Sequence, residues 1–174
     1  MIKALAARVE RIKPSATLAV AAKADELIAA GKDVVGFSLG EPDFDTPDFI
    51  KEAATQAMKK GFTKYTAVDG TASLKKAIIG KFARDNQLAY EPAEIIVSCG
   101  AKHSLYNIFA ALLNSGDEVI IPAPYWVSYP DMVKLVDGVP VIAQTTFENK
   151  FKLTPQELEN AITPKTRIVI FNSP

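Results

Sequence analysis

A turn of small residues ending in a cation, Ser98-Cys99-Gly100-Ala101-Lys102, is the stretch of this sequence best suited to hold an anion. Between a strand and a helix, such a turn leaves the first helical amides without intrahelical partners. The helix dipole adds partial positive charge there, and the Lys102 ammonium adds a full one. The turn is neither G-x-G-x-x-G nor a Walker loop, which argues against a dinucleotide or a nucleoside triphosphate. Nothing marks Cys99 as an activated nucleophile, so it is expected to pack as a small hydrophobe. His103, in the first turn of the helix, is expected to be structural. A second group is aromatic. Pro124-Tyr125-Trp126-Val127-Ser128-Tyr129-Pro130 follows a strand and puts three aromatic rings at its C-terminal end, where open α/β sheets bind ligands. Such rings either stack on a flat heterocycle or pack among themselves, and these residues alone leave both open.

Other constellations carry less chemistry. Glu41, Asp43 and Asp45 alternate like calcium-loop ligands, but prolines at 42 and 47 and the missing central glycine break that pattern. Ser73 and Lys76 fit S-x-x-K without its companion motifs, on what reads as an exposed helix face. One cysteine excludes an internal disulfide, and one histidine leaves little for a Cys/His cage, so no metal site is expected. Twenty basic side chains balance twenty acidic ones, which removes the electrostatic case for nucleic acid or an anionic membrane. Hydrophobic residues at 48% and charged residues at 23% are globular values and argue against disorder. No apolar run approaches a membrane span, and Glu10 interrupts the basic start formed by Lys3, Arg8, Arg11 and Lys13. These features point to a soluble protein of a reducing compartment, expected to be cytoplasmic.

The elements that must position these groups alternate between helical and strand periods, the mark of a wound α/β sheet. Helices are expected over 18–30, from a Thr46 N-cap with Pro47 at the first helical position to Gly61, and over 71–85, 102–113, 126–136 and 155–162. In the second of these, Ile50, Ala53, Ala54, Ala57 and Met58 share an apolar face. Strands are expected over 34–39, 95–98, 118–121, 139–145 and 167–171. The last three are near-continuous apolar runs, as in a parallel sheet covered on both faces. The acidic, proline-bearing stretch at 41–47 is the best internal boundary.

Several segments in this order carry a family resemblance: Lys13-Pro14-Ser15-Ala16-Thr17, Gly40-Glu41-Pro42-Asp43-Phe44-Asp45-Thr46-Pro47, Thr63-Lys64-Tyr65, the PYWVSYP segment, Ile162-Thr163-Pro164-Lys165-Thr166 and the closing Phe171-Asn172-Ser173-Pro174. Over its whole length the chain resembles the N-terminal part of the bacterial-type aspartate aminotransferases, fold-type-I enzymes of class I/II that depend on pyridoxal 5'-phosphate. The resemblance implies an α/β fold in which 46–174 is the first half of the cofactor-binding large domain, a mainly parallel sheet with helices on both faces. Residues 1–45 would form an N-terminal arm and part of the small domain. It also implies roles. Gly100, Ala101 and Lys102 match the turn that holds the cofactor phosphate, Trp126 the aromatic that stacks on the cofactor ring and bounds the substrate pocket, and Gly40 the glycine whose amide meets the substrate carboxylate. Tyr65 matches a tyrosine that reaches across a homodimer to the neighbouring subunit's phosphate. Lys13 matches a position that binds the extra carboxylate of prephenate in some members; a solvated surface lysine is the equal alternative.

The implied reaction is amino-group transfer in amino-acid biosynthesis between an amino acid, aspartate first, and a 2-oxo acid. None of the family's catalytic groups falls in this chain: the Schiff-base lysine, the aspartate on the ring nitrogen and the arginine for the α-carboxylate all follow the motif that Asn172 opens. The chain is therefore expected to be part of a longer enzyme, and 1–174 alone to be inactive. Two other readings stay open: a catalytically dead cofactor-binding or interaction fragment of the same fold, and a carbon–sulfur lyase on the same scaffold.

Overall fold

Parallel strands cannot be joined by a tight turn, so each pair here is separated by a helical crossover. The computed structural model describes residues 5–172. In chain order the helices and strands are α1 (Ala7–Glu10), α2 (Ala16–Ala29), α3 (Asp48–Lys59), α4 (Ala72–Lys81), α5 (Ala101–Leu112), β1 (Glu118–Pro122), α6 (Ser128–Leu135), β2 (Val139–Ala143), α7 (Pro155–Ala161) and β3 (Thr166–Val169). The described residues fall into two compact units, one holding 5–19 and 100–172, the other Val20–Cys99.

The first unit is built on a parallel sheet in the order β2-β1-β3. Glu118 to Pro122 pair in step with Val139 to Ala143. On the other side Glu118 pairs with Thr166 but Val119 with Ile168, so Arg167 is an extra residue that bulges out of the ladder. Central β1 has three fully buried residues in a row, Val119, Ile120 and Ile121. Side chains alternate along a strand, so Val119 and Ile121 share a face. They join Phe109 and Leu113 from the α5 end and Tyr129, Met132 and Val133 from α6 in one core. Ile120 is buried on the opposite face. The apolar run of β1 thus covers both sides, as its sequence requires, while edge strands β2 and β3 are only partly buried. Helix α7 starts with a full capping box: the Thr154 hydroxyl accepts from the Glu157 amide (3.2 Å), and the Glu157 carboxylate accepts from the Thr154 amide (2.7 Å).

The second unit holds α3 and α4. The Thr71 hydroxyl caps α4 by accepting from the Leu74 amide at 3.3 Å. The helix runs on through a π turn, Phe82–Asn86, and ends at Gln87 in the left-handed region (φ 55°). Phe82 packs edge-to-face on Tyr90.

Four expectations need correction, and one pattern holds without burial. Residues 34–39 form no strand, and Val35 and Phe37 are 74% and 93% exposed: β-branched and aromatic composition makes a strand only where a partner edge completes the ladder. Residues 95–98 likewise form no strand; Ile95 is buried, but the Val97 amide donates to Asp69 rather than into a ladder. Helix α3 is capped by Pro47, which is extended (ψ 141°), so Thr46 lies one residue too early to reach the first amides. The α3 stripe exists as a pattern, but no residue of the helix is buried. Cys99 is exposed rather than packed, as it stands in the turn just before the Gly100 N-cap of α5.

Candidate functional site

The C-terminal ends of β1 and β3 come together in the first unit, and a short run of bonds fixes what they carry. Beyond Pro122 the Ala123–Pro124 peptide is cis. The Ala123 amide donates to Ala143 at the end of β2 (2.9 Å), and the Thr145 hydroxyl donates back to the Ala123 carbonyl. This ties the PYWVSYP segment to the sheet edge. Trp126 precedes α6, and its carbonyl accepts from the Tyr129 amide at 3.0 Å. The two rings meet edge-to-face, with centroids 5.5 Å apart and planes at 82°. Tyr129 is buried, and its hydroxyl donates to the Asn172 carbonyl oxygen at 2.9 Å, so the support under Trp126 is anchored just beyond β3.

At α5, Gly100 is the N-cap with φ 87°, a backbone region that L side chains rarely adopt, and it brings no side chain to cap the amides behind it. Lys102, in the first turn, places its ammonium 4.7 Å from the centroid of the Trp126 ring. A helix N-terminus, an ammonium and one open aromatic face therefore converge. Chemically this arrangement suits an anionic group attached to a flat ring: the anion at the amides of Ala101 and Lys102, the ring along Trp126, which is 39% exposed.

Beside Trp126 opens a cleft of about 940 Å³, bordered by Tyr125, Phe171, Asn172 and the segment Lys150–Leu153. That last segment is a tight loop. Phe151 donates to Thr146 and Lys150 to Phe147 (both 2.9 Å), and Lys150 and Phe151 have φ of 53° and 55°. Glu148 in this loop is held below the usual carboxylate range, chiefly by its own backbone amide and then by the Thr146 hydroxyl. Among the described residues no group of three His, Cys, Asp or Glu side chains could hold a metal ion, and no helix is long and apolar enough to cross a membrane.

Of the residues singled out from sequence, the structure brings Gly100, Ala101, Lys102 and Trp126 together in one unit. Lys13 belongs to the same unit, exposed between α1 and α2. Gly40 and Tyr65 lie in the other unit, both exposed. A Cβ on Gly40 would meet nothing within 4 Å, so packing inside this chain does not demand glycine there. Sequence reasoning missed the Tyr129–Asn172 bond and the Lys150–Leu153 wall. Asn172 carried a usable signal, a polar residue just after a strand of a parallel sheet; two consecutive left-handed non-glycine residues carried none.

The model of "Aminotransferase class I and II" matches residues 32–174. This chain belongs to the class I and II aminotransferases. Among curated relatives, the aspartate/prephenate aminotransferase of Nitrosomonas europaea and the aspartate aminotransferase of Geobacillus stearothermophilus are each 59% identical over 170 residues. Each alignment takes in 98% of this chain and 43% of the relative. Among solved structures, the Thermus thermophilus aspartate aminotransferase with maleate superposes with a TM-score of 0.95 at 48% identity, covering 99% of this chain and 45% of that one. The aspartate aminotransferase of Rhizobium meliloti gives 0.93 at 50% identity, covering 99% and 43%. This aminotransferase chain thus spans less than half the length of the relatives it matches, and its three-stranded parallel sheet lies within the aspartate aminotransferase fold.

Proposed function

We propose that this chain supplies the phosphate anchor and ring platform of a pyridoxal-phosphate-dependent aminotransferase, with aspartate as amino donor and a 2-oxo acid as acceptor. The observation that carries the reading is the convergence of the Gly100-Ala101-Lys102 helix start with the face of Trp126. In this reading Ala101 and Lys102 donate backbone amides to the phosphate and Lys102 neutralises part of its charge. Trp126, braced by Tyr129, sets the tilt of the ring. Gly40 offers its amide to the substrate carboxylate, and Tyr65 reaches the phosphate of a second subunit in a homodimer. Full exposure of Tyr65 supports that last role, since among the described residues no side chain bonds to the hydroxyl. Lys13 meets the second carboxylate of prephenate where that substrate is used. Bound pyridoxal phosphate supplies the aldehyde that takes up the amino group and the electron-withdrawing ring that acidifies Cα–H. The residues of this chain hold and orient; no catalytic residue is assigned among them, and the lysine that joins the aldehyde is assigned outside 1–174. The division of the chain into an arm and small-domain segment (1–45) and the first half of a large domain (46–174), and a place in the cytoplasm, belong to the same reading.

The test is equilibrium dialysis of the complete gene product against pyridoxal phosphate and against pyridoxal. A phosphate anchored at a helix start predicts at least a hundredfold tighter binding of the phosphorylated form, the order expected of two or more charge-assisted hydrogen bonds at about 1.5–3 kcal/mol each. Equal affinities would remove the anchor.

A further inference from the structure

Tyr65 is 107% exposed, and among the described residues no side chain bonds to it. Whatever it does, its position is set only through its backbone. Upstream, the segment leaves α3 through Gly61 (φ 77°), with Phe62 donating to Ala57 at 3.0 Å and Thr63 to Gly61 at 2.8 Å. From there to Ala67 the one further bond is the Thr66 hydroxyl to the Ala67 carbonyl at 3.3 Å. Downstream, constraints accumulate at residues 67–71. Gly70 donates to Ala67 at 3.1 Å, and the Asp69 carbonyl accepts from Val97 at 3.1 Å. Gly70 has φ +108°, and a Cβ there would sit 2.6 Å from a Val97 methyl. The Asp69 carboxylate receives the Lys75 ammonium from α4.

That last contact stands out energetically. Lys75 is the one buried charged residue among those described, with its side chain 9% exposed, whereas Asp69 is 46% exposed. A buried ammonium left without its carboxylate is strongly unfavourable, so removing Asp69 costs more than breaking a fully exposed pair. The carboxylate in turn fixes the chain four residues from Tyr65.

We propose that Asp69 and Lys75 are positioning residues for Tyr65: their ion pair clasps residues 67–71 to α4 and so fixes where the Tyr65 hydroxyl is presented. The consequence for cofactor binding rests on the phosphate role proposed above for Tyr65; the clasp itself does not. The experiment compares Lys75→Met, Lys75→Arg, Asp69→Asn and Tyr65→Phe in the complete gene product, alone and combined. It reads amide hydrogen exchange at Gly70 and Val97, whose amides bond to Ala67 and Asp69, and affinities for pyridoxal phosphate and pyridoxal. Lys75→Met should speed exchange at both about tenfold without changing exchange in α5 or the sheet. It should weaken pyridoxal phosphate about tenfold, pyridoxal hardly at all, and add no further loss on top of Tyr65→Phe. Lys75→Arg, which keeps the charge, should restore most of both. Should Lys75→Met fail to fold, the combined Lys75→Met/Asp69→Asn variant carries the same comparison, because it removes the pair without leaving either charge unpartnered. Unchanged exchange at Gly70 and Val97 in folded variants would overturn the clasp. Equal losses with and without the Tyr65 hydroxyl would show that the pair acts on something other than Tyr65. If Tyr65→Phe binds pyridoxal phosphate like the parent, the phosphate role of Tyr65 falls, and the exchange result alone decides the clasp.

Discussion

Lys102 and Trp126 hold each other before any ligand arrives, and that contact has measurable consequences. The ammonium lies 4.7 Å from the centroid of an indole ring that is 39% exposed, so a flat anion on that ring meets the Lys102 charge beside it. Trp126→Ala should weaken retention of pyridoxal phosphate by roughly two- to tenfold, since aromatic pairing contributes about 0.5–1.5 kcal/mol beyond plain burial. Titration of the variant with the cofactor checks this; an unchanged per-site affinity in a destabilised protein would mean that the ring only packs. Lys13 offers a second residue-scale test. If it meets a second carboxylate, Lys13→Ala should lower kcat/KM for prephenate more than for aspartate, by on the order of 1.5–3 kcal/mol for a charge-assisted contact. Equal losses would return Lys13 to the solvated surface where the structure leaves it.

At the scale of elements, two glycines separate backbone demands from packing demands. Gly100 and Gly70 both have positive φ, but a Cβ would meet nothing at Gly100 and would collide with Val97 at Gly70. Gly100→Ala should therefore cost about 1 kcal/mol, the strain of an unfavourable φ, and Gly70→Ala clearly more, as read by urea unfolding. The α7 cap gives a pH test. Glu157 is held below its ordinary value of 4.5, first by the Thr154 amide and then by the Thr154 hydroxyl. A carboxyl depressed in the fold contributes stability that is complete above its unfolded value and is lost as pH falls through the lower folded one. Thr154→Ala should cost about 1 kcal/mol at neutral pH and lose less on acidification than the parent. The elements legible in sequence were those that complete themselves: capped helices such as α4 and α7, and β1, whose apolar run fits a strand with neighbours on both sides. Residues 34–39 and 95–98 were misread because β composition records a readiness to pair and says nothing of whether a partner edge is there. The Tyr129–Asn172 bond spans 43 residues and the Asp69–Lys75 pair depends on burial. Neither distance nor burial is written in local spacing, whereas the Gly100-Ala101-Lys102 helix start is, because small residues and a lysine at a turn mark it.

If a phosphate is held at α5 and a ring on Trp126 as proposed, the whole molecule transfers an amino group and does not eliminate it. The most direct measurement is the half-reaction. The complete gene product, loaded with pyridoxal phosphate and freed of excess cofactor, is mixed with aspartate in the absence of any 2-oxo acid, and oxaloacetate and ammonia are followed. Transfer predicts oxaloacetate in an amount equal to the bound cofactor, no ammonia, and a halt that is relieved only when a 2-oxo acid is added. Continuous release of ammonia without an acceptor, or no oxaloacetate from a fully loaded protein, would contradict it.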